Sequence, residues 1–514
     1  MKIRKLLCTL FLFLTICSGI IFVNAGTSFG KGMAFRSFGI ALGAAVLTLC
    51  VKPSVRYFIF SAVWLPVCYV FTHFAYIHKW IPDTCNYSSE IIIRCSKVLI
   101  LVWGLAFIAY ICTAIKEKQS LIPPSKGGRV IAALWALWIV LLSIFNPGYL
   151  YNGMFVFCYS VVFIVSADKE RREAFYTALM YAVAFVFAAA LLFSLLFRPY
   201  DLERYGLCFS NSNDAGEYIA ATTAALVTLL YMNSKKKIRY LLISALLVSD
   251  LIIAFLNNTR TGIIASLTAA VVLFVCSMRS GKKKDKKRLV RRYVAVIAAF
   301  VIMLYPGYLI VRYIPAIVDR PYFFTYEDMD ETKVTRGEGI NSPKYTSFTD
   351  LLREMLGKWG VLIDFGDDST RADGTEQTEE IEIDTGRDVS NGRMDIWKAY
   401  LSKIGIAPHY PGNITLGEDE LVYHAHNTYL QVSYQFGIIN GLLLGIFAFV
   451  SSVYAVMLYV KKKKPLTVFP VMITITTTLA MLTEWMGHPC VVICFLFFMG
   501  AGMLMYEPFE GKAS

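Results

Sequence analysis

His424-Ala425-His426 leads directly into Asn427-Thr428-Tyr429, and with only six histidines in a chain of 514 residues this cluster stands out. An imidazole can take a proton near neutral pH, as general-base activation of a hydroxyl requires. The spacing would also suit a metal in a strand, but no third ligand stands nearby, so no metal site is expected. The plainer alternative is a belt of His and Tyr at a water–lipid boundary. Arg260 sits in Asn257-Asn258-Thr259-Arg260-Thr261-Gly262, between two apolar runs. A guanidinium there, beside Asn and Thr donors, offers a bidentate fork to phosphate; otherwise it is an arginine snorkelling at a helix end. Arg393 begins a helical pattern in which Trp397 and Tyr400 follow at i+4 and i+7 on the same face, with Ser390 or Asn391 as its cap. Such a helix is expected to lie on a membrane or on the tops of membrane spans.

The elements that must position these residues are apolar. Hydrophobic residues make up 56% of the chain and charged ones only 17%, against about a quarter charged in soluble proteins. This excludes a soluble enzyme, a disordered tail and a disulfide scaffold. The 12 cysteines lie mostly inside apolar runs, with no CxxC pair or Cys/His ligand spacing. A net charge of +13 therefore reports membrane orientation before any nucleic-acid partner.

Fourteen segments are long and apolar enough to cross a bilayer as helices, with about 12 to 14 real spans expected. They begin near Leu6, Ser37, Tyr57, Val98, Arg129, Tyr149, Ala174, Asp214, Tyr240, Arg260, Tyr293, Gly437, Leu466 and Pro489. The first reads as an uncleaved anchor in preference to a cleaved signal. Lys and Arg recur in every second short loop, at Lys2 to Lys5, Lys52 to Arg56, Lys116 to Arg129, Lys169 to Arg172, Lys235 to Arg239, Lys282 to Arg292 and Lys461 to Lys464. Positive charge resists translocation, so both termini are expected in the cytoplasm. The loops around Pro82, Pro147, Arg204, Asn258 and Glu484 then lie outside. The fold class is thus all-α: a polytopic bundle with residues 1–311 as about eleven spans, an extracytoplasmic loop domain at 312–424 and about three C-terminal spans at 425–514. Within the loop domain, 364–388 has ten acidic residues against Arg371 and Arg387 and reads as a flexible insertion, without the ligand spacing of a calcium loop. A helix is predicted near 391–403.

Four segments together resemble the O-antigen ligase and O-antigen polymerase family of bacterial membrane glycosyltransferases, of GT-C type. His426-Asn427, nine residues, then Gly437-Ile438-Ile439 is similar to the family's His-Asn and Gly-x-x-Gly signature. Arg204 to Asn213 is similar to its Arg-to-Asn stretch, Thr259-Arg260-Thr261-Gly262 to its Ser-Arg-x-Gly turn, and Gly392-Arg393 to Trp397 to its Gly-Arg-x-x-x-Trp loop. The resemblance covers about the last 310 residues. Asn440 stands where a second glycine is usual, with Gly441 one place later, and Ser212 replaces a proline. What the resemblance implies is metal-independent, inverting transfer of glycan from an undecaprenyl-pyrophosphate donor to an acceptor hydroxyl, at the outer face of the bacterial cytoplasmic membrane. It implies His426 as catalytic base, Arg260, Arg393 and Arg204 at the pyrophosphate, and Asn427, Trp397 and His424 as substrate-orienting residues. No cofactor is implied. The partners would be the lipid-linked donor, a sugar acceptor, membrane lipid and other polysaccharide-export components, with no nucleic acid.

The competing class is a lipid-linked oligosaccharide flippase or another polytopic transporter, which should bury ionisable groups along a path near the midplane. Asp250 is the acid deepest in an apolar run, with Glu217 nearer an end. A scaffold for a synthesis complex is the third reading.

Overall fold

The computed structural model describes residues 122–145, 169–197, 204–207, 212–280, 283–318, 393–409, 412–416, 420–486 and 492–507, with positions 115, 209, 348, 349, 351 and 352 besides. Expected spans near Leu6, Ser37, Tyr57, Val98 and Tyr149, the acidic insertion and the cap at Ser390 or Asn391 lie outside the described residues.

Every other expected span falls on a helix. In chain order these are α1 (Lys126–Phe145), α2 (Lys169–Phe197), α3 (Ser212–Met232), α4 (Lys237–Asn257), α5 (Arg260–Ser280) and α6 (Lys283–Val318). After them come α7 (Arg393–Lys403), a hairpin of β1 (Ile414–Leu416) and β2 (Glu420–Val422), α8 (Thr428–Phe436), α9 (Ile438–Lys462), α10 (Val468–Ala480) and α11 (Val492–Tyr506). Among the described residues, six helices, 172–197, 212–232, 237–257, 260–279, 286–315 and 438–462, are long and apolar enough to cross a membrane. The described chain is mostly helical; the antiparallel hairpin, with Ile414 opposite Val422, is its departure from an all-α reading.

Burial grades outward from α3. Sixteen of its residues from Ala215 to Leu230 are buried, and it packs against α2, α4, α5, α10 and α11. Every residue of α11 is buried as well. By contrast α5 and α6 leave much of their apolar surface exposed, including Leu267, Val271, Val294, Ile297 and Val301. A helix with apolar residues on its open side fits contact with lipid, not water. Close crossing of α3 and α5 depends on glycine: a Cβ on Gly262 would come within 2.9 Å of the Gly216 carbonyl oxygen, and one on Gly216 within 2.7 Å of Thr259.

The two ends of the bundle differ in charge. One end carries Lys235 to Lys237, Lys283 to Lys287 and Lys461 to Lys464. There Glu507, just past α11, is clamped by Arg172 of α2 at 3.1 Å and by Lys464 at 2.7 Å. At the other end the N-termini of α3, α5, α7 and α8 meet the C-termini of α4 and α10.

Candidate active site

At that second end the chain between α10 and α11 makes a tight turn at 481–486, and this turn is where the predicted residues converge. Thr428, the first residue of α8, holds it in three places: its backbone N–H donates to Met481 O (2.8 Å), its hydroxyl donates to Glu484 O (2.6 Å), and the same hydroxyl accepts from Met486 N–H (2.9 Å). Arg393, at the start of α7, donates to Thr483 O (2.5 Å) and to Glu484 Oε1 (2.9 Å). His426 Nδ1 faces the other carboxylate oxygen, Oε2, at 3.8 Å. That is too long for a hydrogen bond, so the contact is electrostatic.

Glu484 is thus the hub, and its side chain is only 6% exposed. Burial pushes its carboxyl up, but His426 and the charge and hydrogen bonds of Arg393 together outweigh this and hold it below the ordinary glutamate value. Glu217 of α3, also buried, lies within electrostatic range of both Asp214 and Glu484.

The loop around His426 is clamped from both sides. Trp397 donates its indole N–H to Ala425 O (2.9 Å), and Ala425 N–H donates to Gln431 Oε1 (2.8 Å). His426 itself takes a left-handed conformation, φ 46°, which is uncommon for a non-glycine residue. Its ring packs edge-on against His424, with centroids 4.2 Å apart. His426 Nδ1 is buried and turned to Glu484, while 30% of the side chain stays exposed.

Asn427 is the N-cap of α8, its side-chain oxygen accepting from Leu430 N–H at 3.1 Å. Helix α7 turns its aromatic face to the protein: Tyr400 is buried and donates to Gly412 O at 3.1 Å.

Arg204 and the 257–262 turn form one unit. Arg204 donates to Asn257 O (3.1 Å), Asn213 Oδ1 (2.8 Å) and Thr259 Oγ1 (2.7 Å). Asn257 returns two bonds from its amide, to Tyr205 O and Ser212 O, both 2.9 Å. Asn258 closes α4 in a left-handed conformation at φ 54°, and Leu207 in the facing strip is left-handed as well at φ 52°. The guanidinium of Arg204 is therefore a rivet between two loops. Arg260 heads α5 and is half-buried. Its neighbour Thr261 meets Thr483 hydroxyl to hydroxyl at 2.8 Å, which joins this unit to the Glu484 turn.

The Gly-x-x-Gly region has its own geometry. Gly437 sits at φ 88°, and a side chain there would collide with the Ile406 carbonyl. Gly441 lies against Ser433 and Tyr429 of α8, the close approach that the extra position makes possible. Asn440 is fully buried and turns back to donate to Phe436 O at 2.7 Å, satisfying the C-terminus of α8.

The apolar cleft beneath the turn, lined by Trp138, Thr428, Val432, Met481 and Trp485 among others, has a volume of about 10 Å³ and so is packed core, not a ligand chamber. Among the described residues, no group of three or more His, Cys, Asp or Glu side chains is placed to hold a metal ion. Sequence reasoning did not single out Glu484 as a site residue; the signal was an acid between two apolar segments, where a charge is costly without a partner. No protein-family model, curated protein or solved structure matches the chain.

Proposed function

We propose that the chain is an integral membrane glycosyltransferase that moves glycan from an undecaprenyl-pyrophosphate carrier to a sugar hydroxyl, as polymerase or ligase. The observation that carries this reading is the convergence on Glu484 of Arg393, His426 and, through Thr261 and Thr483, the Arg260 turn. The basic residues at the opposite end of the bundle support an extracytoplasmic side for this site, since positive charge resists translocation.

The chemistry assigns a task to each group. His426 Nε2 takes the proton of the acceptor hydroxyl while that oxygen attacks the anomeric carbon of the donor. The bond from that carbon to the pyrophosphate oxygen breaks with inversion, and the electron pair leaves on the lipid pyrophosphate. Glu484 stabilises the imidazolium, which later gives its proton to water. Arg260 and Arg393 face the negative charge that grows on the leaving group, aided by the N-termini of α3 and α5. Arg204 acts at one remove, holding the loop that presents Arg260.

The transporter alternative expects buried acids within the bundle, and Asp250 of α4 is one. That acid is fully buried, and Thr223 of α3 donates to it at 2.6 Å, a bond between two adjacent helices. The test is to incubate the purified protein in lipid vesicles with a defined undecaprenyl-pyrophosphate glycan and to analyse chain length and linkage. Longer chains indicate a polymerase, and transfer to another carrier a ligase. Absence of any transfer, with flipping of the donor across the vesicle, overturns the proposal.

A further inference from the structure

The lipid-facing side of α9 can be read from exposure. Ile439, Leu442, Ile446, Phe449, Val453, Met457 and Val460 are all exposed, at helical spacing, on a helix whose other side is packed into the bundle. From Ile438 to Val460 this helix rises about 33 Å, slightly more than the ~30 Å hydrocarbon thickness, with Lys461 and Lys462 just beyond. Ile438 and Ile439 therefore sit at the membrane boundary on the side of the active site.

The apolar surface does not stop there. Ile406, in the turn after α7, is 68% exposed, and Leu401 near the end of α7 is 57% exposed. Both lie outside the helices long and apolar enough to cross a membrane, where open aliphatic side chains call for a cover. The backbone fixes Ile406 beside the first turn of α9: Ile438 N–H donates to Gly405 O at 2.9 Å, and the Ile406 carbonyl fills the space left by the missing side chain of Gly437. N-terminal to Leu401 the exposed side chains of α7 are Met394, Asp395 and Lys398, the last two paired at 3.0 Å.

We infer that Leu401 and Ile406 are a membrane anchor, inserted at the interface of the leaflet on the active-site side and continuous with the lipid stripe of α9. The occupant is phospholipid, because the patch extends a surface that already faces lipid and lies at its boundary depth. Leu401 is eight residues from Arg393, about 12 Å along the same helix. The anchor therefore sets the height of Arg393 and Trp397 above the bilayer. This inference rests on the membrane-embedded reading and is independent of the chemistry proposed above.

The test reconstitutes the full chain in vesicles containing phosphatidylglycerol with a photoreactive diazirine close to the glycerol end of its acyl chain. After irradiation, lipid adducts are mapped by peptide mass spectrometry. Adducts on 401–407 are expected at yields of the same order as those on 438–442. The double substitution Leu401→Asp, Ile406→Asp should remove the first set and leave the second. Labelling of 438–442 without 401–407 overturns the anchor. Labelling of neither, with adducts elsewhere on the protein, overturns the boundary placement of α9 as well and leaves the glycosyl-transfer assay unaffected.

Discussion

The hydroxyls of Thr261 and Thr483 meet at 2.8 Å although 222 residues separate them in the chain. This contact joins the helix headed by Arg260 to the turn that carries Glu484. Thr261→Val should lower the rate of glycan transfer several-fold, since one hydrogen bond of this kind is worth about 1 kcal/mol. Thr483→Val in the same background should add little, because both changes remove one interaction. A double-mutant cycle on transfer rates measures this.

His426→Ala should reduce transfer by roughly 10² to 10⁴, the usual contribution of a positioned general base. Membrane insertion and thermal stability should stay close to wild type. Normal polymer from this variant would remove His426 from the chemistry.

Arg260→Lys and Arg393→Lys keep the charge and lose the fork. For Arg393 the loss includes its paired bonds to Thr483 O and Glu484 Oε1, so transfer should fall and the 481–486 turn should loosen. For Arg260 transfer should fall with the turn intact. Limited proteolysis alongside the transfer assay separates the two outcomes.

Stability should depend on acid through Glu484. Its folded-state pKa is lowered, so its contribution is fully present above the ordinary glutamate value of 4.5 and is lost as the pH falls through the depressed folded value. Thermal midpoints in detergent between pH 7 and pH 3 should show this loss, and Glu484→Gln should flatten that part of the profile.

Gly437→Ala should destabilise the junction between α8 and α9 by roughly 1 to 3 kcal/mol, from a positive φ and a collision with the Ile406 carbonyl. The thermal midpoint checks it.

Hydropathy alone placed the described spans, because a bilayer demands long apolar helices and tolerates few alternatives. The grouping of Arg260, Arg393 and His426 at one end of the bundle also followed from loop polarity. The partner they share did not. Glu484 stands in a short turn with no local pattern, and its meaning comes from the 58 residues of chain that fold back to bring it under His426. Arg204 was legible as a loop cation between apolar segments, yet its role as a rivet depends on Asn257 and Thr259, contributed by another loop. Asn427 could have been assigned from its place before Thr428-Tyr429-Leu430, where an N-cap is favoured. The hairpin at 414–422 is too short for alternation to register.

The turn between α10 and α11 has a consequence for biosynthesis. Ribosomes deliver the chain from its N-terminus, and domains form in the order they emerge. The loops stitched by Arg204 and Asn257 are complete once α5 has been made. The carboxylate opposite His426 arrives more than two hundred residues later, with the helical pair that ends at Tyr506. A nascent chain paused between α8 and that turn holds its arginines and His426 without the carboxylate that ties them together, so this end of the bundle is completed only when the segment after α10 has been made.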